Sequence, residues 1–156
     1  MPIAPNQLRD ILQQLGYSTS GMEASEPGWT IAMPAHGESR KVATLLEQNG
    51  ELLHLSCLVS YCDGRRPCLP DVLRALAAFN LRNRTVRLGW DAGRGAIMAC
   101  ADLWLTGEPS PVRSIEFFLQ RYQLEIEACG PVARSAVLGQ DSTRPNVLVE
   151  IDDDMI

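Results

Sequence analysis

Hydrophobic and polar residues are arranged in three helical blocks and five strand-like blocks along this chain. Apolar residues recur every three or four positions over residues 5–15, 70–80 and 110–130, which predicts three amphipathic helices. Large apolar residues occupy every second position over residues 29–33, 41–48, 51–61, 86–90 and 97–104, which predicts five strands. The predicted order of elements is therefore α-β-β-β-α-β-β-α.

Particular residues mark the ends of these blocks. Gly16 stands where a left-handed residue ends the first helix, and Pro34 is expected to end the first strand. Asn49-Gly50 predicts a tight type I′ hairpin turn, because both positions tolerate positive φ. Pro131, after Gly130, is expected to stop the third helix. The apolar stripe of the second helix is predicted to contain Val72, Leu73, Leu76, Ala77 and Phe79.

Helices that do not alternate with each strand favour an α+β fold with an antiparallel five-stranded sheet. A chain of 156 residues fits one domain. We expect residues 1–130 to form a single α+β domain and residues 131–156 to form a C-terminal tail. The tail is rich in Ser, Gly, Arg, Asp and Pro, and its apolar alternation at 147–151 predicts that it is flexible or adds a strand.

Charge and composition exclude several classes of function. The formal net charge is -5 and no basic cluster occurs, so we expect no nucleic-acid binding. No apolar run reaches the length that a bilayer requires, and the first ten residues lack the basic start and apolar core of a secretory signal. The 5 cysteines have no regular spacing, which indicates no disulfide framework. We therefore expect a reduced, cytoplasmic protein without a membrane segment.

Candidate reaction chemistry is sparse in this sequence. The spacing of Cys62 and Cys68 matches no common zinc pattern. His36 lies in a turn, whereas His54 and Cys57 are expected on opposite faces of a strand, which disfavours a thiol–imidazole pair. We therefore predict no catalytic residues, no cofactor, no metal and no enzyme activity.

Two short segments allow a chemical interpretation besides a structural one. Residues 91–95, Asp-Ala-Gly-Arg-Gly, join strand to strand, so they lack the helix N-terminus of a phosphate-binding loop and predict a hairpin loop. Cys68 directly precedes the second helix, whose N-terminus would lower the pKa of its thiol. Cys68 and Cys62 are therefore the candidates for a redox-sensitive thiol.

Large apolar side chains occupy strand positions where a sheet with one covered face would carry polar residues. This excess indicates a second buried surface, and hence a homodimer or a bound partner protein. An exposed tryptophan on such a surface is a natural hot spot. The residues that we predict to bind a partner are Trp29, Met33, Met98 and Trp104.

The order of elements resembles the type III secretion chaperone-like fold and, within it, the YbjN family of regulators. The resemblance covers about residues 7–129, and it rests on a helix at 72–80, a strand at 86–90, the turn at 91–95, a strand ending in Leu103-Trp104-Leu105, and the helix from Ser110. It implies a small acidic dimer without catalysis that holds a segment of another protein in a groove or on a strand edge. A cysteine-based redox-responsive regulatory domain is the alternative.

Overall fold

The structure, a computed structural model, describes residues 2–22, 27–35 and 37–138. Its helices are α1 (Pro5–Gln14), α2 (Leu69–Arg82) and α3 (Pro111–Leu138), and its strands are β1 (Thr19–Gly21), β2 (Gly28–Ala35), β3 (Glu38–Glu47), β4 (Leu52–Tyr61), β5 (Arg87–Asp91) and β6 (Ala96–Trp104). The strands form a sheet in the order β1-β2-β3-β4-β6-β5. The α+β fold with an antiparallel sheet is confirmed, but the sheet has six strands instead of the predicted five.

The additional strand is β1, which lies in a Ser- and Gly-rich segment predicted to be a loop. Its residues pair antiparallel with β2, with Thr19 opposite Ile31 and Gly21 opposite Trp29. The Gln13 side-chain amide of α1 also donates to the Thr19 hydroxyl at 3.0 Å. Because the edge of β2 supplies a partner strand, tertiary pairing overrides the weak local propensity of this segment.

Packing within the chain divides it into two compact units. The first unit contains Met1–Cys57 and Cys100–Leu124, and the second contains Leu58–Ala99 together with the part of α3 that begins at Glu125. Strands β4 and β6 and helix α3 each contribute residues to both units. The expected division into a domain of residues 1–130 and a tail stays a prediction.

The core of the first unit lies on one face of its strands. Alternate strand residues are buried there, namely Ile31, Met33, Val42, Leu46, Leu53, Leu55, Cys57 and Ala101. Helix α1 contributes Leu8 and Leu12 and contacts β1 and β2, and α3 contributes Ile115, Leu119 and Tyr122. Most of the intervening strand residues are partly or fully exposed, with Gly28 and Leu52 as buried exceptions, so this unit has one covered and one largely open sheet face.

In the second unit, α2 packs on β5 through Val72, Ala75, Leu76, Ala78 and Phe79. The predicted stripe was wrong at two positions, because Leu73 and Ala77 are exposed. The small side chains of Ala75 and Ala78 are buried instead, which allows the helix to approach the sheet closely.

The hairpin between β3 and β4 is confirmed, but its predicted two-residue turn is wrong. Glu47 pairs with Leu52, so four residues connect the strands, and Gln48, Asn49 and Gly50 all have positive φ. The Ile3 amide donates to the Gly50 carbonyl at 3.0 Å, and a Cβ on Gly50 would overlap the Ile3 carbonyl oxygen. Contact with the N-terminal segment therefore selects the wider turn.

Two prolines do not end their elements as predicted. Pro34 lies inside β2, opposite Ser39, and Pro131 lies inside α3. The apolar stripe of α3 continues past Pro131 through buried Ala133 and Val137, and this burial offsets the hydrogen bond that the proline removes. His36 and residues 139–156, including the predicted strand at 147–151, lie outside the described residues.

Candidate partner-binding surface

The four residues predicted to bind a partner occupy different environments. Met33 is 0% exposed in the core of the first unit, so it presents no surface in this chain. Trp29 and Met98 are half-buried, whereas Trp104 is 57% exposed. Met98 belongs to the second unit, and the other three belong to the first. Of the four, Trp104 therefore offers the most surface for contact.

Trp29 anchors α1 to the sheet. Its indole Nε1 donates a hydrogen bond to the Pro5 carbonyl at 2.7 Å, and the Arg9 guanidinium lies 5.4 Å from the centre of its ring. Both contacts are with residues of α1, so a hydrogen bond and a cation–π interaction hold the helix on β2. These contacts give Trp29 a structural role within the first unit.

The open sheet face of the first unit is formed by the outward-facing residues of β4 and β6. This outer face comprises His54, Ser56, Cys100, Asp102 and Trp104. The residues between them, Leu53, Leu55, Cys57 and Ala101, are buried, as the period of a strand requires. The Leu105 amide donates to the Glu51 carbonyl at 2.7 Å, which fixes the end of β6 against the start of β4. Trp104 therefore projects from a firmly held strand end.

A polar pair lies on the outer face beside Trp104. His54 Nδ1 and Asp102 Oδ1 are 2.6 Å apart across the two strands, with side chains 24% and 58% exposed. Strand β6 lies between β4 and β5, so Asp102 belongs to a cross-strand pair in the interior of the sheet and not at an edge. His54 and the buried Cys57 lie on opposite faces, as predicted, so they do not form a nucleophile–base pair.

One edge of the sheet is short and lacks a hydrogen-bond donor. β1 is the first strand in the sheet order and contains only 3 residues, so Ala32–Ala35 of β2 extend beyond it. Pro34 lies in this extension and has no N–H to offer to an added strand. Short edge strands and proline are common devices against edge-to-edge pairing. This edge is therefore a poor template for a partner strand.

The opposite edge of the sheet, at β5, is closed by a side chain of α2. The Leu88 amide donates to Asn80 Oδ1 at 2.7 Å, and Asn80 Nδ2 donates to the Leu88 carbonyl at 2.9 Å. The Arg87 guanidinium also donates to the carbonyls of Asn80 and Asn83, both at 2.6 Å. Asn80 therefore occupies the position that the backbone of an added strand would take. Helical periodicity does not reveal this role of Asn80, because its partner Leu88 lies on a strand eight positions away.

The two candidate redox cysteines lie together. The Cys62 and Cys68 side chains are neighbours, and both residues are buried. Burial raises the pKa of the Cys62 thiol, and the neighbouring Cys68 raises it further. The sequence indicated Cys68 through its position before the second helix, and the turn at 63–67 places Cys62 beside it.

The described part of the chain holds neither a metal-binding cluster nor a membrane-spanning helix. Residues 2–22, 27–35 and 37–138 contain no cluster of three His, Cys, Asp or Glu side chains that could hold a metal ion. No helix in these same ranges has the length and apolarity needed to cross a membrane. The outer face and the Cys62–Cys68 contact are therefore the arrangements that bear on the predicted functions.

Comparison with known proteins identifies related families and folds. Residues 4–134 match the model of the YbjN family, described as "Putative bacterial sensory transduction regulator". The crystal structure of YbjN from E. coli, a "putative transcription regulator", is similar with a TM-score of 0.62 and 16% identity over 83% of this chain and 89% of that chain. A chain of the HopA1-SchA chaperone–effector complex is similar with a TM-score of 0.52 and 17% identity over 81% of this chain and 91% of that chain. No curated protein sequence matches. At these identities the structural similarities show a common fold.

Proposed function

Because the chain belongs to the YbjN family, we propose that it is a non-catalytic, chaperone-like regulator that holds a segment of a partner protein. The proposed contact surface is the outer face of the first unit, with Trp104 as its central residue. The observation that carries this proposal is the 57% exposure of Trp104 on a strand that is otherwise firmly fixed. A rigid, exposed tryptophan is the kind of residue that dominates protein interfaces.

The geometry favours binding on the sheet face over strand addition at an edge. The edge at β1 and β2 is short and contains Pro34, and the edge at β5 is closed by Asn80. An added strand would gain few backbone hydrogen bonds at either edge. Of the two modes that the sequence left open, a groove or face therefore has more support than a strand edge.

The chemistry of the outer face indicates what kind of segment it would hold. Trp104 offers an apolar, aromatic contact, and the exposed Asp102 carboxylate beside it offers a hydrogen-bond acceptor. A partner segment that inserts one large apolar side chain and donates backbone or side-chain hydrogen bonds would suit both groups. The similar fold in a chaperone–effector complex supports this mode, because that scaffold occurs in a complex with another protein.

We also propose that the protein forms a homodimer through the exposed side of α3. Phe117 and Leu124 are 67% and 62% exposed and lie seven residues apart, two helical turns along one side of the helix. In an antiparallel helix pair, Phe117 of each copy would pack on Leu124 of the other. Such an arrangement would bury all four side chains and remove from water the apolar surface that Phe117 and Leu124 expose in a monomer.

The proposed function is tested by capturing the partner with the tagged full-length protein from its native cytosol and identifying bound proteins by mass spectrometry. The capture is repeated with Trp104→Ala and with Leu73→Ala, a control at a 42% exposed apolar residue of α2 in the other unit. We expect one dominant partner that Leu73→Ala retains and Trp104→Ala loses. Equal recovery by both variants would exclude Trp104 as the contact.

A redox-responsive regulatory domain is the second candidate function, and the contact between Cys62 and Cys68 favours it. Oxidation by hydrogen peroxide would form one S–S bond and break two S–H bonds, while the peroxide takes up the two electrons and two protons and yields two water molecules. Because the pKa of Cys62 is raised, little thiolate is present at neutral pH and the oxidation should be slow. Its rate should increase as the pH rises towards that pKa.

The redox candidate is tested by intact-mass measurement and thiol counting after peroxide treatment. We expect wild-type protein to lose two thiols, Cys62→Ser and Cys68→Ser to form no intramolecular disulfide, and the control Cys100→Ser to behave as wild type. Loss of thiols that persists unchanged in Cys62→Ser would remove this candidate.

A further inference from the structure

Two turns of the second unit enclose an open cleft of about 440 Å³. One turn, at residues 63–66, follows β4, and the other, at residues 92–95, joins β5 to β6. The Cys62 amide donates to the Gly95 carbonyl at 2.7 Å and fixes one turn against the other. A volume of several hundred Å³ is typical of a site for a small molecule and is too small for a protein segment of any length.

Each turn is shaped by its own aspartate. Asp63 Oδ1 accepts a hydrogen bond from the Arg65 amide at 2.9 Å, and the Asp63 carbonyl accepts one from the Arg66 amide at 3.0 Å. In the other turn, Asp91 Oδ1 accepts a hydrogen bond from the Arg94 amide at 3.1 Å. The backbone beneath both arginines that line the cleft is therefore ordered before any ligand arrives, which lowers the entropic cost of binding.

The cleft is lined by more positive than negative charge. Arg66 and Arg94 line it together with Asp63 and Tyr61. Arg94 lies 3.7 Å from Asp91, at the long end of an ion pair, and Arg66 forms no ion pair with the described part of the chain. On a protein with a net charge of -5, two arginines and one aspartate line this cleft, and the Asp91 carboxylate near Arg94 is outside the lining.

Glycines keep the cleft free of side chains. Gly64 lies over the Trp90 indole, where a Cβ would be 3.2 Å from two ring atoms, and Trp90 Nε1 donates to the Cys62 carbonyl at 2.8 Å. Gly95 has a φ of 59°, which a side chain would strain. Gly93 is different, because a Cβ there would meet only Asp91 Oδ1, at 3.4 Å. Gly93 can therefore be replaced to reduce the space in the cleft without disturbing the core.

We propose that this cleft binds small-molecule anions through a phosphate or carboxylate group. The planar guanidinium of arginine donates two parallel hydrogen bonds to either kind of oxyanion, and the Tyr61 hydroxyl supplies a further donor at the cleft wall. The loop at 91–95 is a hairpin loop, as the sequence predicted, and no helix begins there. Recognition in this site derives from arginine side chains, and a helix N-terminus has no part in it.

The proposal is tested by isothermal titration of the full-length protein with inorganic phosphate and, separately, with succinate, each up to about 10 mM at constant ionic strength. The variants are Arg66→Ala, Arg66→Lys and Gly93→Val. Arg74→Ala is the matched control, since Arg74 is an exposed arginine of α2 in the same unit, outside the cleft. Thermal unfolding of each variant verifies that it is folded, which is expected of the Arg66 variants because Arg66 forms no ion pair within residues 2–22, 27–35 and 37–138.

We expect at least one probe to bind wild type and Arg74→Ala equally, and Arg66→Ala to weaken that binding by about tenfold or more. Arg66→Lys should be intermediate, because lysine keeps the charge and loses the paired donors, and Gly93→Val should weaken binding by filling space. Binding of phosphate alone would assign a phosphoryl ligand, and binding of both probes would assign general oxyanion recognition. The proposal would be overturned if neither phosphate nor succinate bound, or if Arg74→Ala weakened binding as much as Arg66→Ala.

Discussion

Replacing Trp104 with alanine removes the largest exposed apolar group of the outer face. About 57% of a side chain of roughly 250 Å², or about 140 Å², is available to a partner. At about 25 cal/mol per Å², covering this area is worth up to about 3.5 kcal/mol. A tryptophan hot spot costs at least about 2 kcal/mol when truncated, so we expect the Kd of the partner segment to rise by about 30- to 300-fold.

The same substitution also affects the stability of the protein, and the two effects must be separated. The buried remainder of the Trp104 side chain, about 110 Å², limits the loss in free energy of unfolding to about 2.5 kcal/mol. Urea unfolding of Trp104→Ala and Leu73→Ala measures this loss for both variants. Binding is then compared at a temperature at which both variants remain folded.

The Kd of the captured partner is measured for each purified variant by isothermal titration calorimetry. Wild-type protein also allows a fluorescence measurement, because covering the exposed Trp104 should shift its emission to shorter wavelength. A Kd for Trp104→Ala within about threefold of the Leu73→Ala value would refute the reasoning, since such a difference amounts to less than about 1 kcal/mol.

Two further substitutions test the sheet edge and the proposed dimer. Asn80→Ala removes both hydrogen-bond partners of the Leu88 backbone, so we expect the free energy of unfolding, measured in urea, to fall by about 1–3 kcal/mol. An unchanged free energy of unfolding would show that Asn80 does not stabilise the edge. Phe117→Glu places a charge opposite Leu124 of the second copy, so sedimentation velocity should show a monomer. The control Leu81→Glu, at an exposed site on α2, should leave the dimer intact. A dimer that survives Phe117→Glu would exclude α3 as the interface.

Regular hydrophobic periodicity predicted most of the elements, because a helix or strand with one covered face carries apolar residues at regular intervals. In β4, the buried residues Leu53, Leu55, Cys57 and Val59 follow the alternation from which the strand at 51–61 was predicted. The stripe of α2 was partly wrong, since periodicity alone favours the larger Leu73 over the small Ala75. Side-chain size indicates hydrophobicity but not how closely a helix can approach its neighbour.

The features that sequence reasoning missed depend on contacts between distant residues. The turn after β3 is wider than Asn49-Gly50 predicts because Gly50 contacts Ile3, more than forty positions away. Helix α3 passes Pro131 because burial beyond the proline outweighs a local rule. The cross-strand contact of His54 with Asp102 likewise requires the order of strands in the sheet, in which β6 lies next to β4.

The candidate surface was predictable only in part, for a related reason. Strand faces can be assigned from alternation, but alternation does not tell which face a helix covers. Met33 and Trp104 were therefore equivalent in the sequence, whereas one is fully buried and the other is largely exposed.

The most direct test of partner binding on the outer face is photo-crosslinking in the native cells, with a photoreactive phenylalanine derivative replacing Trp104. The same derivative at the exposed Leu81 of α2 serves as the control. Partner binding on the outer face predicts one dominant crosslinked protein from position 104 and none from position 81. The same adduct from both positions, or an adduct from position 81 alone, would contradict it.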